Sequence, residues 1–207
     1  IPLVSGSEFS PDFLGYIHEC YRRKPGTQAL SIPFSYTKND SSEVYEHNMR
    51  GLIEGLREMG YPHAFYAELG TFAIRCDAYQ AQNGISKNAI DPTFELMYKF
   101  AKVGRIKTFE FAKVGLPWRA ELDVNKWQVV DQTKIDDLGS LFQQVEALFK
   151  GQDWSISTQM NSFLEKEGFG DALAEMLQHG KSLETFSQRF FSWWNPNRVR
   201  KFLNNQP

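Results

Sequence analysis

The segment Thr27-Gln28-Ala29-Leu30-Ser31-Ile32-Pro33-Phe34-Ser35-Tyr36-Thr37 decides the fold class. Leu30, Ile32, Phe34 and Tyr36 recur at every second position, the period of a strand with one face buried. Pro33 lies inside it and cannot donate to a ladder, so the pattern predicts an edge strand or a bulge. Helical patterns stand on both sides. Upstream, Ser10 is a candidate N-cap and Pro11 suits the first helical position; Phe13, Ile17, Cys20 and Tyr21 then share a face until Pro25-Gly26. Downstream, Asp40-Ser41-Ser42 offers caps for the strongest helix in the chain. Tyr45, Met49, Leu52, Ile53, Leu56 and Met59 recur at three- and four-residue spacing, and Gly60 supplies a left-handed stop.

Further along, residues 64–69 and 71–79 read as short strands meeting near Gly70. Asp91-Pro92 opens a helix carrying Phe94, Met97, Tyr98 and Ala101, which Gly104 ends. Two more strands are expected at 106–114 and 118–130, separated by Gly115-Leu116-Pro117. Beyond Asp131 strand signals stop. Helices are expected at 135–150, 158–167, 171–179, 183–193 and 196–203, punctuated by Gly151, Gly168, Gly170 and Gly180. This order predicts an α+β fold: a mixed, at least partly antiparallel sheet flanked by helices, with an all-helical C-terminal third. The expected division is an α/β domain at 10–131 and a helical subdomain at 132–207, packed on it or adjacent to it. For residues 1–9 two readings stand: a vector-encoded leader, since Gly6-Ser7-Glu8-Phe9 is what two adjacent cloning sites encode, or a native extended segment. The recurrence of Phe100-Ala101-Lys102-Val103-Gly104 at Phe111-Ala112-Lys113-Val114-Gly115 is taken as chance, because a repeat architecture needs more copies.

Composition limits the function classes. The chain has 207 residues, 42% hydrophobic and 23% charged, with 17 Phe, 8 Tyr and 5 Trp. That is ordinary globular composition with ample aromatic area for a core. A formal net charge of −2 gives no global attraction to nucleic acid or anionic lipid. Two cysteines cannot build a disulfide framework or a four-thiolate zinc site, so free thiols in a reducing, cytoplasmic compartment are expected. No apolar run approaches the roughly 20 residues a membrane helix needs. The expectation is a soluble chain with no membrane contact, its oligomeric state left open.

High-specificity catalytic motifs are missing. His18, His47, His63 and His179 are scattered, with no ligand spacing among them, so neither a metal nor a cofactor is expected. His179-Gly180-Lys181-Ser182 ends like a phosphate-binding loop, but Glu175 stands where that loop needs glycine. Two weak catalytic candidates remain. Glu121 and Asp123 share one face if 118–130 is a strand, with Lys126 nearby and Asp77 or Glu68 as a third acid from a neighbouring strand; a metal-dependent nuclease uses such a cluster. The plainer reading is a polar strand face in water. Cys20, His63 and Asp77 have the residue types of a thiol nucleophile, its base and an orienting acid, as in a cysteine hydrolase assembled from distant segments. Cys20, however, sits on an apolar helix face, where thiols are usually inert.

Charge is uneven in a way the net value hides. Between positions 99 and 119 six basic residues (Lys99, Lys102, Arg105, Lys107, Lys113, Arg119) face one acid, Glu110. From position 181 onward Lys181, Arg189, Arg198, Arg200 and Lys201 face Glu184, interleaved with Phe186, Phe190, Phe191, Trp193 and Trp194. Basic groups attract phosphates and exposed aromatics stack on unpaired bases. The same aromatics also have the spacing of a core-facing helix. The leading expectation is therefore a non-enzymatic binding protein contacting nucleic acid or an acidic protein. A protein–protein interaction or effector domain without nucleic acid is the alternative, and an enzyme of either kind above comes third.

Overall fold

The computed structural model describes residues 1–37, 40–85, 92–103, 106–108, 113–118 and 131–204. The described elements run β1 (Glu8–Phe9), α1 (Phe13–Arg23), β2 (Ala29–Ser31), β3 (Phe34–Tyr36), α2 (Asp40–Glu58), β4 (Phe72–Ile74), α3 (Cys76–Ala81), α4 (Pro92–Ala101), β5 (Ile106–Thr108) and β6 (Val114–Leu116). Helices alone follow: α5 (Gln132–Gln143), α6 (Val145–Phe149), α7 (Thr158–Lys166), α8 (Phe169–His179), α9 (Leu183–Trp193) and α10 (Pro196–Asn204). The fold is α+β. The chain forms two compact units, Ile1–Arg50 with Phe65–Gln128, and Gly51–Ala64 with Val129–Pro207. The second unit thus takes the end of α2 and the turn after it as well as the helical third, where the sequence places the division at 131.

Pro33 is the hinge of the first unit. Ile32 N donates to Thr71 O at 2.7 Å, whereas Pro33 O accepts from Val114 N at 3.1 Å. The chain therefore leaves one sheet and enters another at the residue that has no N–H to continue a ladder. The expected single strand with an edge or bulge is instead two strands in two three-stranded sheets, ordered β4-β2-β5 and β1-β6-β3. Both sheets are mixed. β2 pairs antiparallel with β4 and parallel with β5, while β6 pairs antiparallel with β1 and parallel with β3.

Three other expectations change for local reasons. Residues 64–69 form no strand; Ser31 Oγ donates to Tyr66 O at 3.0 Å and accepts from Tyr66 N at 3.1 Å, so one side chain substitutes for a ladder. The strand expected over 71–79 ends at Ile74 and turns into α3, with Asp77 in its first turn, where a carboxylate favours the helix. At α1 the cap is Asp12, at φ 58°, and Ser10 contributes only its carbonyl, to Phe13 N at 3.2 Å. The strand expected at 118–130 lies outside the described residues but for Trp118, which is not in a strand.

α3 and α4 cover the β4-β2-β5 sheet. Phe72, Leu96, Met97 and Phe100 fill that core with Ala29 and Phe65, each removed from water almost completely. A buried side chain of this size contributes about 2–3 kcal/mol. The second unit is built on aromatics: Phe142, Phe163, Phe186, Phe190, Trp194 and Phe202 are all buried. Three of its helices, α5, α7 and α9, start on side-chain caps, with Asp131 accepting from Thr133 N, Ser157 from Met160 N and Ser182 from Thr185 N. The helix expected over 135–150 breaks at Gln144. That side chain donates to Ser155 O and accepts from Ser155 N, both at 2.8 Å, and so ties down the following loop.

Gly180 ends α8 where a methyl group would lie 2.7 Å from Met176 O and 3.0 Å from Phe186 Cβ. Gly180→Ala is expected to lower stability by about 1–3 kcal/mol, measured as a shifted denaturant midpoint with unchanged slope. A wild-type midpoint in that variant would show that the α8–α9 turn has slack the geometry denies.

Candidate functional site

The first basic stretch runs from α4 through β5 to β6. β5 and β6 run parallel to β2 and β3, with Leu30 opposite Lys107 and Phe34 opposite Val114. Lys107 is exposed on β5, an edge strand; Lys102 and Val103 are exposed just beyond α4, and Lys113 is exposed just before β6. Among the described residues these three lysines make no ion pair. Lys99 does different work: its Nζ donates to Gln82 O at 2.9 Å and Gly84 O at 3.1 Å, closing the turn after α3. Arg105 and Arg119 lie outside the described residues.

The second basic stretch belongs to the other compact unit. Its aromatics are core. Trp194, Phe186 and Phe190 are fully buried, and half-buried Trp193 packs on Phe169 at 4.9 Å between ring centroids. Arg198 lies over the Trp193 ring, 4.2 Å from its centroid, and donates to Trp193 O at 2.6 Å. Glu167 then pairs with Arg198 at 3.6 Å and with Lys201, so two of the cations meet a carboxylate of their own unit. Arg200 is also engaged. Lys181 and Arg189 are exposed. Of the aromatics of this stretch Phe191 and Trp193 are half-buried, Phe191 packing edge-on to Phe142 at 5.4 Å and Trp193 lying under Arg198.

The catalytic candidates do not assemble among the described residues. Glu121, Asp123 and Lys126 lie outside them. No three His, Cys, Asp or Glu side chains that are described come together to hold a metal ion. Asp77 is in α3, not on a strand. Arg75 grips it at 2.7 Å and holds its carboxyl below the usual range, helped by Ala78 N. Cys20 is half-buried, and burial pushes its thiol up, away from the reactive thiolate. His63 is buried edge-on to Tyr61, at 5.4 Å, in the other unit from Cys20. Cys76 is exposed, and both thiols are free.

The most built polar feature is one the sequence reading did not single out. β3 and the start of α2 border a cleft of about 580 Å³, floored by Ser35, Gly115 and Glu8 and walled by Ser42, Glu46 and Arg50. Behind it Tyr45 and Tyr36 donate to the two oxygens of Glu68, at 2.8 and 3.1 Å, and Trp118 packs edge-on to both rings. The one signal was Glu46 and Arg50 four apart on the strongest predicted helix, a spacing common on any wet helix face.

Fold and side chains together define an α+β chain with three exposed lysines near β5 and β6 and a polar cleft. No family model, no curated protein and no solved structure matches it. Among the described residues no helix is long and apolar enough to cross a membrane.

Proposed function

We propose that this chain is a non-enzymatic binding protein whose first compact unit holds an acidic protein partner on Lys102, Lys107 and Lys113. The observation that carries this reading is the exposure of all three, without an ion pair among the described residues, just beyond α4, on β5 and just before β6. An exposed apolar neighbour, Val103 at 52%, suits a protein surface better than a phosphate backbone. Nucleic acid ranks second because three of the five aromatics that would stack on bases, Phe186, Phe190 and Trp194, lie in the core of the other unit. The free thiols of Cys20 and Cys76 accord with a reducing, cytoplasmic setting.

A polyglutamate peptide and a single-stranded oligonucleotide, each fluorescently labelled, separate the two readings. Polyglutamate is expected to bind at low salt and weaken by roughly tenfold or more as salt passes about 0.3 M, where screening shortens the reach of surface charge. The variant Lys102→Glu/Lys107→Glu/Lys113→Glu should lose that binding. Tighter binding of the oligonucleotide would put nucleic acid first, and a triple variant that binds polyglutamate like wild type would end the proposal.

A further inference from the structure

Among the described residues strand β3 ends its sheet, and its outer side is met by two side chains rather than by another described strand. Pro33 O and Thr37 N both bond to β6, so alternation turns the backbone groups of Phe34 and Tyr36 outward. Tyr36 N donates to Glu46 Oε1, and Phe34 O accepts from Arg50. The two side chains are joined to each other, with Arg50 at 3.1 Å from Glu46 Oε2, and the guanidinium also lies 5.5 Å from the Phe34 ring centroid and 5.7 Å from that of Tyr66. A carboxylate acceptor and a guanidinium donor thus occupy the places where a further strand would offer its C=O and N–H.

We infer that the Glu46–Arg50 pair is a guard on the β3 edge, a surrogate strand that keeps Phe34–Tyr36 from pairing with the same segment of a second copy. The edge invites such pairing on two counts. Phe34 and Tyr36 have high β-propensity. An edge meets its own copy across a two-fold axis with each donor facing an acceptor. Natural sheets block such edges with charges, and here the block also satisfies the backbone groups it covers.

The full-length variant Glu46→Ala/Arg50→Ala is expected to form a concentration-dependent dimer in sedimentation velocity that wild type does not form. In that dimer the Tyr36 amide should be protected from exchange. A variant with native circular dichroism that stays monomeric overturns the inference. So does a wild-type dimer already paired through β3. Should the double variant unfold, Glu46→Asp decides, because it keeps the charge but draws the carboxylate back from the strand. Tyr36 exchange should then quicken roughly tenfold or more while Thr37, bonded to Leu116 O, is unchanged. Unaltered Tyr36 exchange in Glu46→Asp would sink the guard.

Discussion

Trp194→Ala is expected to cost the helical unit about 3–5 kcal/mol, the largest loss of any single substitution outside glycine and proline positions. Trp194 is 0% exposed, with ring centroids 5.8 Å from Phe142, 5.8 Å from Phe163 and 6.4 Å from Phe202. Its carbonyl accepts from Tyr61 Oη at 2.8 Å, so it also joins the turn after α2 to the end of α9 within the same unit. Truncation removes the ring and leaves a cavity that these three rigid neighbours cannot fill. Trp194→Phe should cost much less, about 1.5 kcal/mol, since the indole N–H finds no partner among the described residues and only volume is lost. Denaturant titration followed by helical circular dichroism measures both. Equal, small losses in the two variants would mean that the indole lies at a surface, and base stacking would return as a reading of this stretch.

The second large effect belongs to Glu68. Tyr45 is 1% and Tyr36 6% exposed, and both hydroxyls donate to this one carboxylate. Glu68→Leu removes the acceptor while leaving two phenols in place, at about 2–4 kcal/mol for the pair. Tyr36→Phe/Tyr45→Phe added to Glu68→Leu should restore part of the loss, because the orphaned donors are gone. Absence of any restoration would show that Glu68 acts by packing alone. The same cluster sets the alkaline limit. Burial first, and then the charge of Glu68, raise the Tyr36 hydroxyl well above its ordinary range, and burial raises Tyr21 likewise. A folded-state value above the unfolded one, about 10 for tyrosine, means the unfolded chain ionises first as pH rises. The contribution is therefore whole below about pH 10 and declines above it. Tyrosinate absorbance from these two rings should appear only with unfolding, and early titration of all the tyrosines would contradict their burial.

How much was legible in the sequence depends on the range of the forces involved. The strongest helix and its Gly60 stop, and the helical third, came from spacing and local hydrogen bonding, both written within a few residues. Pro33 announced trouble in its strand for the same reason. That the trouble was a change of sheet followed from where Thr71 and Val114 lie, 38 and 81 positions further on by subtraction, and no local pattern encodes those partners. The strand misread at 71–79 shows the reverse: Phe72, Ala73 and Ile74 do form a strand, but Asp77 lies in the first turn of a helix and is held by Arg75.

For the binding surfaces the division is sharper. Counting charges found the two basic stretches, since charge is a property of residues. Only the folded chain separated them: Arg198 and Lys201 meet Glu167, while Lys102, Lys107 and Lys113 stand exposed. Likewise, Glu46 and Arg50 are an ordinary four-residue pair until β3 turns its outer groups toward them. The sequence determined which segments are helical, which side chains are apolar enough to be buried, and where cations are concentrated, because these depend on neighbours along the chain. Tertiary structure decided which cations remain in water and which strand edge is closed, because neutralisation and hydrogen bonding act over a few ångströms between residues that only folding brings together.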